Sequence, residues 1–339
     1  MIHVTIKDVA RELGCSVSTV SRAFNDKYDI KKETKELILN KAKEMGYHPN
    51  PIAKKLITKK TYNIGVVVPE FVNSFFPEVI IGIQDLLIKE GYQVLIMQSN
   101  ECYKTEMDNI KTLENNMVDG LLISLSRETK NIEFYSELYK KGMPMVFFNR
   151  VSDDIPGSKV IFDDFKWSFF ATEHLIKQGY KKIYHLSGYK NLGITRNRIR
   201  GFKKALDKHR IPYNSNCIIE TGLFIEEGDA VVEKLIRENN LPEAFFCIND
   251  PVAIGAMKAL KRNKYKIPGD VAIVGFTESR MVEVVDPPLT SVIQPTFEMG
   301  RKAAEILLKQ ISAKEIEEAE TIILEGKLNI RESSMNCNG

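Results

Sequence analysis

The first fifty residues place apolar and polar side chains with a helical period. Ile6, Val9, Ala10 and Leu13 recur at the spacing of one helical face. Thr5, with Asp8 three residues on, supplies a capping box at its start. Gly14 and Cys15 make a tight turn, and Ser16 caps a second helix. There Val17, Val20, Ala23 and Phe24 alternate with Ser18, Thr19, Ser21 and Arg22. A third helix is predicted over Ile30–Met45, with Leu37, Ile38, Ala42 and Met45 on its buried side and Gly46 as its left-handed C-cap. Tyr47-His48-Pro49-Asn50-Pro51 then breaks the helix. Two helices joined by a three- to four-residue turn form the unit that lays its second helix in a major groove of DNA.

Beyond residue 61 the pattern changes to short apolar runs separated by amphipathic stretches. Asn63–Pro69, Tyr92–Gln98, Asp119–Ser124, Met145–Asn149, Lys159–Phe162, Lys182–Ser187, Cys217–Thr221, Ala244–Asn249 and Val271–Phe276 read as strands. Continuous apolar runs of this kind mark parallel strands buried on both faces. Helices are predicted between them, among others over Pro77–Lys89, Lys104–Asn116, Phe169–Gln178 and through Arg200–Lys208. The series implies a doubly wound α/β architecture, and so many strands imply two lobes. Phosphate-loop and strand-linked GxGxxG motifs are absent, which argues against nucleotide hydrolysis and dinucleotide chemistry.

Charge separates the two regions. Residues 1–60 hold 13 Lys and Arg against 7 Asp and Glu, a net of +6, whereas the whole chain is only +3. No acidic residue lies between Glu44 and Glu70, while Lys54, Lys55, Lys59 and Lys60 fall in that gap. A concentrated positive field beside such a helix pair is the footprint of phosphate contact. The chain of 339 residues is 43% hydrophobic and 27% charged, long enough for more than one core. Cys15, Cys102, Cys217, Cys247 and Cys337 show neither a CxxC pair nor metal-ligand spacing, which points to reduced thiols and no metal centre. Without a basic-then-apolar leader or an 18-residue apolar run, the expectation is a cytoplasmic protein with no membrane partner.

Open α/β sheets bind ligands beyond the carboxyl ends of their strands, so the residues just after the strands are candidates for a shared cleft. Phe75 and Phe76, read as loop residues, offer aromatic faces to a sugar ring or base. Asn149 and Arg150, Asp163 and Asp164, Asn249 and Asp250, and Thr277 all end strands, and Arg198 lies three residues before Gly201.

The run TIKDVARELGCSVSTVSRAFN, the GYHPNPIAKKL after it and the PPLTSVIQP near the end resemble the LacI/GalR family of transcriptional regulators. The resemblance spans essentially the whole chain. It implies a headpiece (1–47), a hinge (48–60), an effector-binding and dimerisation body (61–335) and a tail (336–339). Two Rossmann-like lobes, similar to those of periplasmic sugar-binding proteins, would comprise about 61–161 with 292–322, and 162–290 with 323–335. The implied partners are double-stranded operator DNA, a second copy of the chain and a small sugar-like effector, with no cofactor. Val17, Ser18 and Arg22 match the family's base readers, and an arginine fork suits guanine O6 and N7. Thr5, Thr19, Ser21 and Asn25 fit phosphate contacts. In the hinge, Asn50, Ala53 and Lys55 match DNA-contacting positions, and Leu56 matches a leucine that wedges between base steps in the minor groove. Arg198, Asp163 and Asn149 match effector contacts. Thr277 stands where the family usually has Asp, a departure that puts the usual sugar-diol contact in doubt and leaves a sugar phosphate open. The tail has no leucine heptads of the kind that tetramerise some relatives. A solute-binding protein or an enzyme on the same α/β body is the alternative, although no nucleophile motif or convincing carboxylate pair supports catalysis.

Overall fold

The computed structural model describes residues 4–24, 30–47, 60–313 and 318–336. The chain divides into two compact units, residues 1–61 and 62–339.

In the first unit, α1 (Ile6–Glu12), α2 (Val17–Phe24) and α3 (Lys32–Glu44) enclose a small core of Val9, Ala10, Val20, Ala23, Ile38 and Ala42. The Asp8 carboxylate accepts from the Thr5 N–H at 2.9 Å and the Thr5 hydroxyl at 2.6 Å, fixing the start of α1. Gly14, at φ +59°, makes the turn a side chain would strain. The Ser16 hydroxyl then accepts from the Thr19 N–H at 3.1 Å and caps α2. Leu37, expected on the buried side of α3, is 60% exposed. It sits about 100° round the helix from the buried Ile38, while Phe24 and Tyr47, whose rings meet edge to face at 5.4 Å, pack against the core.

The second unit holds two six-stranded sheets. One has the order β11-β5-β4-β3-β1-β2 and is wholly parallel. Its strands are β1 (Asn63–Val68), β2 (Gln93–Gln98), β3 (Gly120–Ile123), β4 (Met145–Phe148), β5 (Ser158–Phe162) and β11 (Thr321–Leu324). The other has the order β12-β10-β9-β8-β6-β7, with β12 antiparallel to β10. It comprises β6 (Ile183–Ser187), β7 (Ile218–Glu220), β8 (Ala244–Cys247), β9 (Ala272–Thr277), β10 (Thr290–Ile293) and β12 (Lys327–Asn329). The chain therefore passes between sheets after β5, after β10 and between β11 and β12. Helices α4 (Phe75–Leu87), α5 (Tyr103–Asn115), α6 (Glu133–Lys140) and α11 (Thr296–Ser312) belong with the first sheet. Helices α7 (Asp164–Lys177), α8 (Gly193–Lys208), α9 (Ile225–Arg237) and α10 (Asp250–Arg262) belong with the second.

The central strands β1, β3, β4, β6 and β8 are buried along their whole length. This is why they read as uninterrupted apolar runs. Helices pack closely where glycine lets them: a Cβ on Gly255 of α10 would lie 2.0 Å from the carbonyl oxygen of Ile225 in α9. In each sheet the strand order reverses direction, between β1 and β3 and between β6 and β8, and crevices for ligands open at such switch points.

Candidate functional site

On α2, Val17 is 41% exposed, and Ser18 and Arg22 are exposed beside it. Val20 and Ala23 hold the opposite face in the core. The exposed side of this helix therefore offers an apolar contact and a hydroxyl in its first turn and a guanidinium in its last. Ser16 hydrogen-bonds the hydroxyls of both Ser18 and Thr19 at 2.7 Å, which orients the first turn. Thr5 caps α1, and Ser21 lies in the middle of α2. Asn25, Asn50, Ala53, Lys55 and Leu56 lie outside the described residues.

In the second unit a cleft of about 540 Å³, its mouth included, opens between the two sheets at their strand ends. Phe75, Phe76, Asn149, Arg198, Asn249 and Thr277 all line it. Phe75 and Phe76 are not loop residues: they form the first turn of α4, nearly buried, and Phe76 meets Phe148 edge to face. Asn149 sits in the left-handed region at φ +57°, just past β4.

Arg198 is 3% exposed. Its Nε and Nη2 donate to Asp164 Oδ1 at 2.8 and 2.7 Å, and its Nη1 donates to the carbonyl of Ile248. Its guanidinium lies 3.6 Å above the Phe276 ring. Burial pushes the Asp164 carboxyl up and the Arg198 guanidinium down, each opposed by the other's charge.

Two expected ligand contacts are otherwise engaged. Asp163 caps α7, accepting from the Lys166 N–H at 2.9 Å, and does not line the cleft. Its neighbour Asp164 is the carboxylate that meets Arg198. Asp250 lies behind the cleft wall, wholly buried and bonded to Ser279 and Ser291. Asn249 splits its amide, accepting from the Val252 N–H at 3.0 Å as the cap of α10 and donating to the Leu223 carbonyl at 2.9 Å. The Thr277 hydroxyl donates to Gln294 Oε1 at 3.0 Å.

Four further cleft residues matter most: Arg150, a strand-end candidate in the sequence, and Glu70, Gln294 and Ser279, which the sequence did not single out. Glu70 lies two residues past β1, where it accepts from the Asn73 N–H at 2.9 Å, and burial raises its carboxyl above the usual range. Arg150 donates through Nη1 to both oxygens of Glu101, at 2.7 and 2.9 Å, leaving its buried Nε without a partner. Gln294 Nε2 and Ser279 Oγ are likewise buried and unpartnered. Leaving such groups unmet costs about 1–3 kcal/mol each, a loss a polar ligand relieves. Across the cleft rim, the Arg127 guanidinium stacks 4.6 Å from the Tyr189 ring, and Asn191 donates to the Arg127 carbonyl at 2.5 Å. These contacts tie one lobe to the other.

A three-helix unit with an exposed second helix, on the same chain as a two-lobed body with a polar cleft, defines a DNA-binding transcriptional regulator with a sugar-binding type of domain. Residues 5–50 match the family model for bacterial regulatory proteins of the lacI family, and residues 61–332 match that for periplasmic binding proteins and the sugar-binding domain of the LacI family. The chain belongs to the LacI family. It is 32% identical to the HTH-type transcriptional repressor PurR of Vibrio parahaemolyticus over 92% of this chain and 93% of that one. Its fold matches a solved lac repressor dimer bound to operator and an anti-inducer, with a TM-score of 0.87 at 23% identity over 99% of this chain and 100% of that one. A solved complex of the regulator CelR with cellobiose matches with a TM-score of 0.74 at 27% identity, covering 98% of this chain and 100% of CelR. These relatives are regulators, not enzymes. Among the described residues no helix is long and apolar enough to cross a membrane.

Proposed function

We propose that the protein is a cytoplasmic repressor that binds a palindromic operator as a homodimer, its affinity set by a neutral, hydroxyl-rich effector held between the lobes. The charge balance of the cleft carries the choice of ligand. Both of its arginines are already matched by buried or nearly buried carboxylates, Arg150 by Glu101 and Arg198 by Asp164. Glu70 adds a further acidic group. At this wall a phosphate would meet only arginines that already hold carboxylates, in surroundings where unpaired charge is costly. The unpartnered Arg150 Nε, Gln294 Nε2 and Ser279 Oγ call instead for acceptor oxygens, and Glu70 accepts from ligand hydroxyls. The aromatic pair Phe75 and Phe76 suits a sugar's apolar face. The departure at Thr277 therefore favours a neutral ligand over the sugar phosphate, since its hydroxyl serves Gln294. Cellobiose in CelR agrees with this class.

For DNA, Val17, Ser18 and Arg22 read base edges. Thr5, Thr19, Ser21 and Asn25 hold phosphates. One headpiece makes few base contacts, so two copies on a palindrome are needed. On α4, Ile81 and the capping Ile88 are exposed two turns apart on one face, which supports burial against a second copy. Asn50, Ala53, Lys55 and Leu56 form the hinge contact, with Leu56 wedged into the minor groove. Lobe closure shifts the hinge equilibrium.

The test is selection of bound duplexes from a random library at near-physiological salt. It is repeated with cellobiose and with the pairs glucose and glucose 6-phosphate, and ribose and ribose 5-phosphate. The expected result is an enriched palindrome whose recovery changes with a neutral sugar. Enrichment that responds only to a phosphorylated sugar overturns the ligand class, and no enrichment overturns the operator reading.

A further inference from the structure

Asp250 does not line the cleft, yet its geometry accounts for the shape of one wall. It opens α10 and is wholly buried. Oδ2 accepts from the Ser279 N–H at 2.6 Å, and Oδ1 accepts from the Ser291 hydroxyl at 2.6 Å. That hydroxyl accepts in turn from the Glu278 N–H at 3.1 Å. Two successive amides of the turn after β9 thus end on one carboxylate, one directly and one through Ser291.

The turn needs this hold. Thr277 lies at φ +111° and Glu278 at φ +65°, both on the side of the map that residues with a Cβ disfavour. Room for the carboxylate comes from Gly275 of β9, where a Cβ would lie 2.3 Å from Oδ1. The turn sets Thr277 against Gln294 and Ser279 against the cleft, then runs into the exposed Met281 and Val284. Glu278 is drawn outward, to Asn329 at 2.9 Å and to Arg331 at 3.1 Å. The other ionisable groups whose charge bears on Asp250 are Glu278, Arg198 and the Cys247 thiol.

We propose that Asp250 is the positioning residue of the effector site: its carboxylate holds the Thr277–Ser279 turn in a left-handed form and so shapes the ligand-facing wall without touching ligand. The assignment to an effector rests on the function proposed above, whereas the hold on the turn does not. A carboxylate accepts at both oxygens, and protonation converts one of them to a donor. Burial raises Asp250 to about 7, so the hold weakens as pH falls through neutrality.

The test is hydrogen exchange of the full-length protein, followed by mass spectrometry over residues 276–285 and corrected for intrinsic rates. Wild type is expected to lose protection there between pH 8 and pH 6. D250N is expected to exchange about tenfold faster at pH 8, with little change on acidification. S291A should lose protection at Glu278 and keep it at Ser279, and it decides the matter if D250N does not fold. Wild-type protection in D250N, or an equal loss across the whole second lobe, overturns the proposal. Calorimetric titration with cellobiose and glucose forms the second arm. A sugar that binds wild type should bind D250N about tenfold more weakly, with operator affinity in its absence unchanged; equal affinity overturns the positioning role. If neither sugar binds wild type while exchange behaves as stated, the hold stands and the effector reading fails.

Discussion

Replacing Arg198 with methionine keeps most of the apolar volume and removes the cation. Asp164, 5% exposed, then loses both guanidinium donors, and the Ile248 carbonyl loses its own. Breaking a buried ion pair from one side costs about 3–5 kcal/mol. The cation above Phe276, 3.6 Å from the ring centre, adds about 1 kcal/mol more. For a body of this size the sum is a fall in melting temperature of about 7–10 °C. Asp164 escapes part of the cost by taking up a proton. Its folded pKa, already raised by burial, rises further once the cation is gone. The folded state then binds the proton more tightly than the unfolded chain, so the deficit is small near the unfolded carboxylate value and grows as pH rises toward the folded one. Thermal melting of the full-length protein by circular dichroism should therefore show a larger drop at pH 7.5 than at pH 5. The double variant R198M/D164N should recover most of it. A double variant as unstable as R198M, with no dependence on pH, would refute the reasoning. R198M should also lose its response to sugar and keep its operator affinity.

Three further outcomes follow from the packing and the site. Gly255→Ala forces α9 and α10 apart, because its Cβ would meet the Ile225 carbonyl oxygen at 2.0 Å; a loss of about 1–3 kcal/mol or more is expected, read from the urea midpoint, and an unchanged midpoint counts against it. His185 is held near pKa 4 by burial against Phe246, so its contribution to stability is present above the unfolded value of 6.5 and lost as pH falls from there toward 4. His174 is lowered to about 4 by burial as well, so His185→Phe should reduce the slope of stability across that window without abolishing it, and parallel wild-type and variant curves would remove His185 as a cause. Leu56→Ala should weaken binding to the selected operator far more than to random duplex, measured by titration at one salt concentration, and equal losses would end the wedge role.

The parts of this fold that were legible in the sequence are those in which burial imposes a period. NIGVVV, MVFF and AFFC read as strands because a parallel strand between two helical layers leaves no polar position. Thr5, Asp8 and Ser16 were readable because capping depends on neighbours in sequence. Helix α7 starts at Asp164 instead of Phe169 because Asp163 caps it, a signal that apolar spacing misses. The same cap explains why Asp163 and Asp164 exchange roles: the first turns back to the helix backbone and the second turns inward to Arg198. Adjacent identical residues give no clue to which points where. Gln294 lies within PPLTSVIQP but carries no charge to mark it as a contact, and the passage from β10 to α11 brings it into the cleft. Arg150 was read as a strand-end candidate, but its pairing with Glu101, 49 residues away, depends on the sheet order.

The distribution of charge separates the two activities of the chain. The headpiece concentrates a net +6 in residues 1–60, so its attraction to DNA is an unmatched electrostatic one, and such binding falls steeply with salt as counterions are released. The cleft works the opposite way. Its Arg150 and Arg198 are matched by Glu101 and Asp164 within the protein, which leaves the hydrogen-bond donors of that wall as unmet groups. If the effector is neutral, as proposed, it adds no net charge, and its effect on DNA affinity must then come through a change of conformation and not by neutralising the field that draws the headpiece to DNA. A neutral ligand can then move the equilibrium only as far as it binds the two lobe arrangements differently. The Arg127–Tyr189 and Arg127–Asn191 contacts cross the cleft rim, so a lobe movement that separates those residues would have to break them.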